Sequence, residues 1–208
     1  MKDNLNSENQ RLKDELEKAR QELEEARRII RVKEIELKAI LAQADEVSHT
    51  DSLTYLANRR QIVNHLQKEV HRAERYNTSL SISMMDIDHF KNINDTYGHA
   101  VGDQVLFQLA NMLHEGIRDS DMVGRYGGEE FLIVLPNTKL KKAAELAARL
   151  CTSIREADID VGNKIHLTVS IGVAEYRHRT ENWQKFLNRA DKALYAAKNA
   201  GRDRWAVF

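Results

Sequence analysis

Two glycines and two carboxylates stand side by side in the middle of the chain, in the stretch Arg125–Phe131. Gly127 and Gly128 separate a short strand-like run from a strongly apolar one, and this pattern predicts a two-residue hairpin turn with positive φ angles. Glu129 and Glu130 follow directly, and because neighbours in a strand point to opposite faces, we expect them to do different jobs. A tight turn that lacks Cβ atoms and carries acids suits a nucleotide and a divalent cation. The same four residues also occur in ordinary surface hairpins, so this interpretation depends on the rest of the chain.

A second pair of acids ends a mostly apolar run, Leu80–Asp88, which predicts a buried strand. Asp86 and Asp88 fall at the carboxyl end of this strand, and the backbone carbonyl of Ile87 between them is a further hard oxygen ligand. An acid at a strand end is more often a helix cap or a solvated group. If Asp86 and Glu129 lie on adjacent strands, however, they can share an ion. That arrangement is typical of metal-assisted phosphoryl or nucleotidyl transfer, in which two ions lie about 3.5–4 Å apart.

Other polar side chains have the chemistry to complete a nucleotide site. Asn94 and Asp103 lie near predicted turns and are suited to reading the edge of a base. Lys198 and Arg202 are four residues apart at the end of the last predicted helix. There they either complement the helix dipole or form a clamp that neutralises a leaving pyrophosphate.

The spacing of apolar residues predicts the elements that hold these side chains. The order is strand, helices, hairpin, helix, strand, helix, strand, which predicts an α/β (α+β) layer with a mixed or antiparallel sheet covered by helices. Thr50 or Asp51 is expected to cap a new helix. The predicted helices and remaining strands are Arg59–Tyr76, a helix from His89 broken at Gly98 and resumed as Asp103–Ile117, Thr138–Ala157, the strand Lys164–Ala174, Trp183–Gly201 with Gly201 as its stop, and the strand Arg204–Phe208.

The 208 residues exceed what one small domain needs, which predicts a globular domain with an appendage. Lys and Arg together number 32, as do Asp and Glu, and this balance argues against a nucleic-acid binder that relies on a broad basic field. No apolar run approaches the roughly 20 residues of a membrane span, and the charged first residues do not resemble a signal peptide. The single Cys151 fits a reducing cytosol as a buried thiol. We therefore expect a cytoplasmic chain without nucleic-acid or membrane partners.

Residues 1–50 contain no Gly or Pro and are dominated by Glu, Lys, Arg, Leu and Ala, as is typical of a long helix. They form about six heptads of a coiled coil, whose natural state is a parallel homodimer, and Asn9 favours two strands. The seam weakens at Lys33, and a second register, offset as stutters are, is possible after Ile30. The coil is then either a switch between two registers or a plain dimerisation stalk. Its d positions are Leu5, Leu12, Ala19, Ala26, Lys33, Ile40 and Val47, its a positions are Asn9, Leu16, Leu23, Ile30, Leu37 and Ala44, and the second register has Ile30, Leu37 and Ala44 at d with Leu41 and Ser48 at a.

About three quarters of the chain, Asp51–Phe208, resembles the GGDEF family of diguanylate cyclases. This family usually has glycine at the position of Tyr55. The difference lies where the coil joins the domain and concerns the strength of coupling between them. The resemblance implies a nucleotidyl-cyclase or polymerase-palm-like fold in residues 51–208, with a mostly antiparallel sheet flanked by helices, preceded by the coiled-coil helix of residues 1–50. The matching residues are Gly127–Phe131, Asp86–Asp95 with Gly98, His99, Gly102 and Asp103, Asp51–Thr54, Asn58–Arg60, Ser170–Val173, and Ala190–Tyr195 with Lys198, Gly201 and Arg202.

The resemblance also implies a role for individual residues. Two Mg²⁺ or Mn²⁺ ions per half-site would be held by the carboxylates of Asp86 and Glu129 and the carbonyl of Ile87. Glu129 would also assist deprotonation of the 3′-hydroxyl, and Lys198 and Arg202 would hold the phosphates. The substrate residues would be Asn94 and Asp103 for guanine, Phe90, Lys91 and His99 for the shape of the pocket, Gly127 and Gly128 for passage of the phosphates, and Glu130 hydrogen-bonded near the site.

Each domain of the family holds one GTP, and two facing domains condense two GTP molecules into cyclic di-GMP and two pyrophosphates. A homodimer held by a parallel coil would raise the local concentration of the two half-sites. Arg118 and Asp121 fit the RxxD inhibitory product site of the family, with Arg149 and Arg72 as secondary arginines. The alternative is a non-catalytic receptor for GTP or cyclic di-GMP that signals through its coil. Such receptors usually have a degraded signature, whereas this chain keeps its acids and cations.

Overall fold

The structure, a computed structural model, describes residues 16–18, 20–38, 49–162 and 164–208. The chain divides into two units, Met1–Ser48 and His49–Phe208. In the first unit the described residues form helix α1 (residues 16–18 and 20–38), whose side chains are exposed. The coiled coil stays a prediction, and its second register depends on Leu41, Ala44 and Ser48, which lie outside the described residues.

The second unit contains the strands β1 (Leu80–Ile87), β2 (Met122–Arg125), β3 (Glu130–Pro136), β4 (Ile159–Asp160), β5 (Lys164–Ile165), β6 (Val169–Glu175) and β7 (Arg204–Val207). Among the described residues, five of these strands form one sheet in the order β2-β3-β1-β6-β7, and β4 and β5 form a small second sheet. Neighbours in the main sheet are antiparallel except β6 and β7, which are parallel. The prediction of a mostly antiparallel sheet is therefore confirmed.

Helices cover the main sheet on both faces. They are α2 (Arg59–Tyr76), α3 (Phe90–Tyr97), α4 (His99–Glu115), α5 (Leu140–Glu156) and α6 (Trp183–Asn199). One apolar cluster joins Met85 and Phe131 of the sheet to α3, α4 and α5, and the other joins Ile82 and Leu132 to α2 and α6. Because β1 is central and covered on both sides, all eight of its residues are buried. Its mostly apolar sequence fits that position, and its polar residues Ser81, Ser83 and Asp86 are buried as well.

The glycine turn differs from the prediction. A loop of four residues, Tyr126–Glu129, joins β2 to β3, and neither Gly127 nor Gly128 has a left-handed backbone. The prediction of a two-residue turn with positive φ is wrong, because the backbone N–H groups of Tyr126 and Gly127 both donate to the Glu130 carbonyl and close a wider loop.

Two further predictions of local structure are wrong. Neither Thr50 nor Asp51 caps a helix, since α2 begins after Asn58, whose side chain accepts a hydrogen bond from the Gln61 amide. The alternating run Lys164–Ala174 is not one strand, because β5 pairs with β4 in the small sheet while β6 joins the main sheet. The helix after Gly98 begins at His99, earlier than the sequence predicted, and the other helices match within two residues at each end. No helix in the described part of the chain is long and apolar enough to cross a membrane.

Candidate active site

An acidic cluster forms where the carboxyl end of β1 meets the start of β3. Asp86, which is 7% exposed, lies opposite Glu130 in the antiparallel register, so both side chains are on the face that carries α6. From α6, the Lys198 Nζ lies 2.8 Å from the Asp86 Oδ1. The amide of Ile87 donates to the Glu129 carbonyl, which ties the loop to the end of β1. The direct cross-strand neighbour of Asp86 is therefore Glu130, and Glu129 approaches from the loop.

The charges of this cluster are not balanced. Burial raises the pKa of the Asp86 carboxyl, Lys198 acts against that effect, and Glu129 and Asp88 add to it, so the net pKa lies above the ordinary value. Burial likewise raises the pKa of Glu130, and the charge of Asp86 raises it further. A raised carboxyl pKa means that the site disfavours its own negative charge. One ammonium group does not neutralise these carboxylates, and the cluster therefore favours an additional cation.

The donor atoms fit a hard divalent cation. Carboxylate and carbonyl oxygens are the ligands that Mg²⁺ and Mn²⁺ prefer, and Asp86, Glu129 and the Ile87 carbonyl supply them from one strand end and one loop. Among the residues that the structure describes, no three His, Cys, Asp or Glu side chains are arranged to hold an ion. The fit therefore rests on two carboxylates and one backbone oxygen, with the remaining positions open to substrate phosphates.

A cleft of about 580 Å³ lies beside this cluster and has the size of a nucleotide pocket. Glu129 lines it and so connects the cleft to the acidic cluster. The structure brings together here most of the side chains that the sequence assigned to substrate, and adds three that it did not. The lining residues are Phe90, Lys91, Asn94, Asp95, His99, Asp103, Leu106, Arg125, Gly128 and Glu129.

Close packing of α3 against α4 positions the two candidate guanine readers. Gly102 on α4 lies under the side chain of Asn94 on α3, and a Cβ atom at Gly102 would be only 1.9 Å from the Asn94 Oδ1. The ring of Phe90 also approaches this point. Asp103 is the next residue on α4, so the glycine allows Asn94 to lie beside it. The run Gly102-Asp103 in the sequence thus supplies both a packing position and a polar group.

A cation that the sequence analysis did not assign holds the signature loop. Arg125 donates from its Nε and Nη2 to the Gly128 carbonyl, at 3.0 and 2.8 Å, and its Nη1 lies 3.2 Å from the Asp51 Oδ1. Asp51 also accepts from the Thr54 amide and hydroxyl, both at 2.8 Å. The beginning of the domain is thereby joined to the loop of the candidate active site. The sequence did not predict this contact, and the signal that could have done so is the position of Arg125 directly before the loop that carries Gly128 and Glu129.

The remaining assigned residues take different positions. Gly127 does not line the cleft, and the Glu130 Oε2 occupies the space beside it, 2.6 Å from where a Cβ atom would lie. Arg202 follows the stop residue Gly201, past the end of α6. Its φ angle of 61° is left-handed, as is the φ of 114° at Gly201.

A second pocket, of about 440 Å³, contains most of the candidate inhibitory residues. Arg118, Asp121 and Arg149 line it, and the Arg118 amide donates to the Asp121 Oδ2 at 3.2 Å. Arg149 donates to the Gly116 carbonyl at 2.7 Å. Arg72 is not part of this pocket, since it lies exposed on α2 beside Glu69.

Comparison with known families shows to which family the chain belongs. A family model described as "Diguanylate cyclase, GGDEF domain" matches residues 48–204. The chain belongs to the GGDEF family. Among its relatives, Diguanylate cyclase A of Treponema denticola is 43% identical over 168 residues, which cover 78% of this chain and 45% of that protein. The chain thus spans less than half the length of this curated relative.

Solved structures of GGDEF domains have the same fold. The coiled coil and GGDEF domain of DgcB from Caulobacter crescentus, in complex with c-di-GMP, is 33% identical with a TM-score of 0.74, covering 88% of this chain and 98% of that one. The active GGEEF domain of a diguanylate cyclase from Vibrio cholerae is 38% identical with a TM-score of 0.70, covering 74% of this chain and 97% of that one. The fold implied by the signature residues is therefore the fold that the chain has.

Proposed function

We propose that this chain is a diguanylate cyclase, which condenses two GTP molecules into cyclic di-GMP and two pyrophosphates. The observation that carries the proposal is the position of Glu129. Its side chain lines the nucleotide-sized cleft, and its charge contributes to the raised pKa of the buried Asp86. Base recognition and phosphate chemistry need to be adjacent for nucleotidyl transfer, and this residue stands between them. The family match and its relatives support the same activity.

In the proposed reaction the 3′-oxygen of one GTP attacks the α-phosphorus of the other. A new P–O bond forms, the bond between the α-phosphorus and the bridging oxygen breaks, and pyrophosphate leaves. Glu129 accepts the 3′-hydroxyl proton, and the ammonium of Lys198 and the guanidinium of Arg202 hold the negative charge of the leaving group. Divalent ions at Asp86, Glu129 and the Ile87 carbonyl supply Lewis-acid activation when bound. The step occurs twice, once for each facing half-site.

In this proposal, guanine binds in the cleft lined by α3 and α4. The Asn94 amide can both donate and accept, and the Asp103 carboxylate accepts from N–H groups, as the edge of guanine requires. Phe90, Lys91 and His99 line the same cleft and complete its apolar and cationic walls.

Each domain offers one half-site, so the proposal requires a homodimer. Exposed apolar side chains recur every seven residues along α1, at Leu16, Leu23, Ile30 and Leu37, and each is more than half exposed. This spacing supports a two-stranded coil, which would bring two half-sites together at a high effective concentration.

Turnover of GTP with Mg²⁺, measured chromatographically over a series of protein concentrations, tests this function. We expect cyclic di-GMP, at a rate per protein that rises as dimers form. Glu129→Gln keeps the shape of the side chain but removes the base and a metal ligand, so we expect turnover to fall by at least about 10²-fold, the lower range for a single general base. Wild-type turnover in this variant would contradict the assignment. Binding of GTP or cyclic di-GMP without turnover by the wild type would favour the non-catalytic receptor.

We further propose that the pocket of Arg118, Asp121 and Arg149 binds the product and inhibits the enzyme. An arginine can pair in a bidentate manner with guanine or phosphate, and a carboxylate accepts from the guanine edge. Arg118→Ala should leave the initial rate unchanged and raise the concentration of cyclic di-GMP needed for half inhibition by about tenfold or more, as the loss of one charged hydrogen bond predicts. Arg72→Ala, which lies outside this pocket, is the matched control. An unchanged inhibition constant in Arg118→Ala would reject the site.

A further inference from the structure

The backbone beside the candidate phosphate clamp has an unusual conformation. Three consecutive residues after α6 have left-handed φ angles, 114° at Gly201, 61° at Arg202 and 49° at Asp203. Only the first of them is a glycine, and side chains of L-residues rarely adopt this conformation. Successive non-glycine residues of this kind persist only where surrounding contacts hold them, and such places cluster at functional sites.

Two anchors hold this segment from opposite sides. The amide of Asp203 donates to the Asp88 Oδ2 at 2.9 Å. The Arg155 Nε donates to the Asp203 Oδ2 at 2.6 Å, and its Nη2 donates to the Asp203 carbonyl at 3.3 Å. From the helix end, the Arg202 amide donates to the Ala197 carbonyl. The backbone on both sides of Arg202 is therefore fixed.

Asp88 is built into the fold as an acceptor. It is 5% exposed, and besides the Asp203 amide it accepts from the Thr168 hydroxyl and the Ser170 hydroxyl, each at 2.7 Å. All three partners donate to Asp88 here, but a hydroxyl can also accept, so an amide at this position can keep the Asp203 contact by turning its NH₂ group toward Ser170, whereas alanine removes every acceptor. Asp88 stands two residues after Asp86 and directly follows β1, so the end of the strand that carries the candidate metal ligand is also joined to the segment of Arg202.

We propose that Asp88 is a positioning residue for Arg202: through the Asp203 amide it fixes the left-handed backbone from which the Arg202 guanidinium reaches the pyrophosphate portion of GTP. This inference rests on the proposed function, which gives Arg202 its phosphate role. Asp88 itself does not line the candidate substrate cleft. It acts by joining the end of β1 and the start of β6 to the segment after α6.

Binding rather than turnover tests this inference, with two probes in the presence of Mg²⁺. The first probe, 3′-deoxy-GTP, carries all three phosphates but lacks the attacking hydroxyl, and the second, GMP, lacks the pyrophosphate portion. Asp88→Ala removes the acceptor and should weaken binding of 3′-deoxy-GTP by about tenfold, the loss of a charged hydrogen bond, and should change GMP binding by less than twofold. Arg155→Ala, which removes the other anchor, should have the same selectivity and serves if Asp88→Ala does not fold. Lys164→Ala, which breaks an exposed ion pair with Asp158 in the small sheet, is the matched control and should change neither affinity.

A double-mutant cycle separates positioning from a general loss of structure. In an Arg202→Ala background, Asp88→Ala should change the affinity for 3′-deoxy-GTP by less than twofold, because the group that Asp88 positions is gone. A tenfold loss in that background, or equal losses for 3′-deoxy-GTP and GMP, would overturn the inference. If Arg202→Ala weakens binding of 3′-deoxy-GTP and Asp88→Ala does not, the inference alone fails. If Arg202→Ala has no effect on that probe, the phosphate role of Arg202 in the proposed function fails as well.

Discussion

Gly172 on β6 is the position at which we expect one added methyl group to lower the stability of the fold most. β6 and α6 approach so closely there that a Cβ atom on Gly172 would lie 2.1 Å from both the Ala190 carbonyl oxygen and the Leu194 amide nitrogen. Cβ atoms are essentially never found closer than 3.0 Å to such atoms, so Gly172→Ala requires a displacement of about 0.9 Å, the difference between these two distances. The obstructing atoms are backbone atoms of a helix and cannot rotate away. The helix as a whole has to move from the sheet.

The cost follows from what this displacement separates. Ala190, Leu194 and Phe186 on α6 are almost fully buried against the sheet. Overpacking of a core costs typically 1–3 kcal/mol, and because no side chain can give way here, we expect about 3 kcal/mol. Urea unfolding followed by circular dichroism should show this loss as a lower midpoint with an unchanged m-value.

The same displacement of α6 should also disturb the candidate active site. Lys198 lies one turn after Leu194 and pairs with Asp86, so a shifted α6 moves the ammonium away from the phosphates. A misplacement of about 1 Å costs on the order of 10²-fold in rate, and we expect GTP turnover to fall by that factor at a temperature where the variant is folded.

Gly128→Ala is the control for stability, since a Cβ atom there meets nothing within 4 Å. Its unfolding free energy should stay within about 0.5 kcal/mol of the wild type. If Gly172→Ala were equally stable, the close approach of β6 and α6 would not exist as described. If Gly172→Ala lost stability but kept full activity when folded, the link between α6 and catalysis would be refuted.

Two further predictions concern the elements around the site. Burial tends to raise the pKa of Asp51, but hydrogen bonds from Thr54 and the charge of Arg125 outweigh it and lower the pKa. Asp51→Asn should therefore lower the free energy of unfolding by about 2 kcal/mol at pH 7. In urea unfolding at several pH values, this loss should be complete well above pH 3.8, the ordinary pKa, and should shrink as the pH falls below it. A loss that does not depend on pH would contradict the ion pair. Gly102→Ala should displace the Asn94 side chain and so raise the KM for GTP by about tenfold, because a hydrogen bond to guanine is lost. The stability of the helix should stay the same or rise by up to about 1 kcal/mol. An unchanged KM would show that Asn94 does not bind guanine.

Local signals in the sequence were enough for the helices and for the family. The period of apolar residues predicted α2 at Arg59–Tyr76 without error, because one helix face packs on the sheet and this alone sets the spacing. Gly201 correctly marked the end of α6, since a left-handed residue is needed there. The signature residues around Glu129, together with the other matching residues, indicated the family, which the match over residues 48–204 confirms.

Pairing between strands could not be read from the sequence. The run Lys164–Ala174 alternates throughout, yet it splits between two sheets, because alternation records which side is buried and not which strand is the neighbour. The loop at Gly127 was likewise mispredicted, since its width depends on hydrogen bonds to Glu130 and on the Arg125 side chain across the loop.

The sequence by itself determined which residues are candidates for the chemistry: the acids Asp86 and Glu129, the cation Lys198 and the polar groups of the α3–α4 pair. Their identity and order along the chain are local facts. Only the tertiary structure decided that Glu130 is the neighbour of Asp86 across the sheet, that Arg125 joins Asp51 to the signature loop, and that Asp88 holds the segment of Arg202. These contacts join residues 44 to 115 positions apart, and only the packing of strands and helices around one sheet brings such residues together.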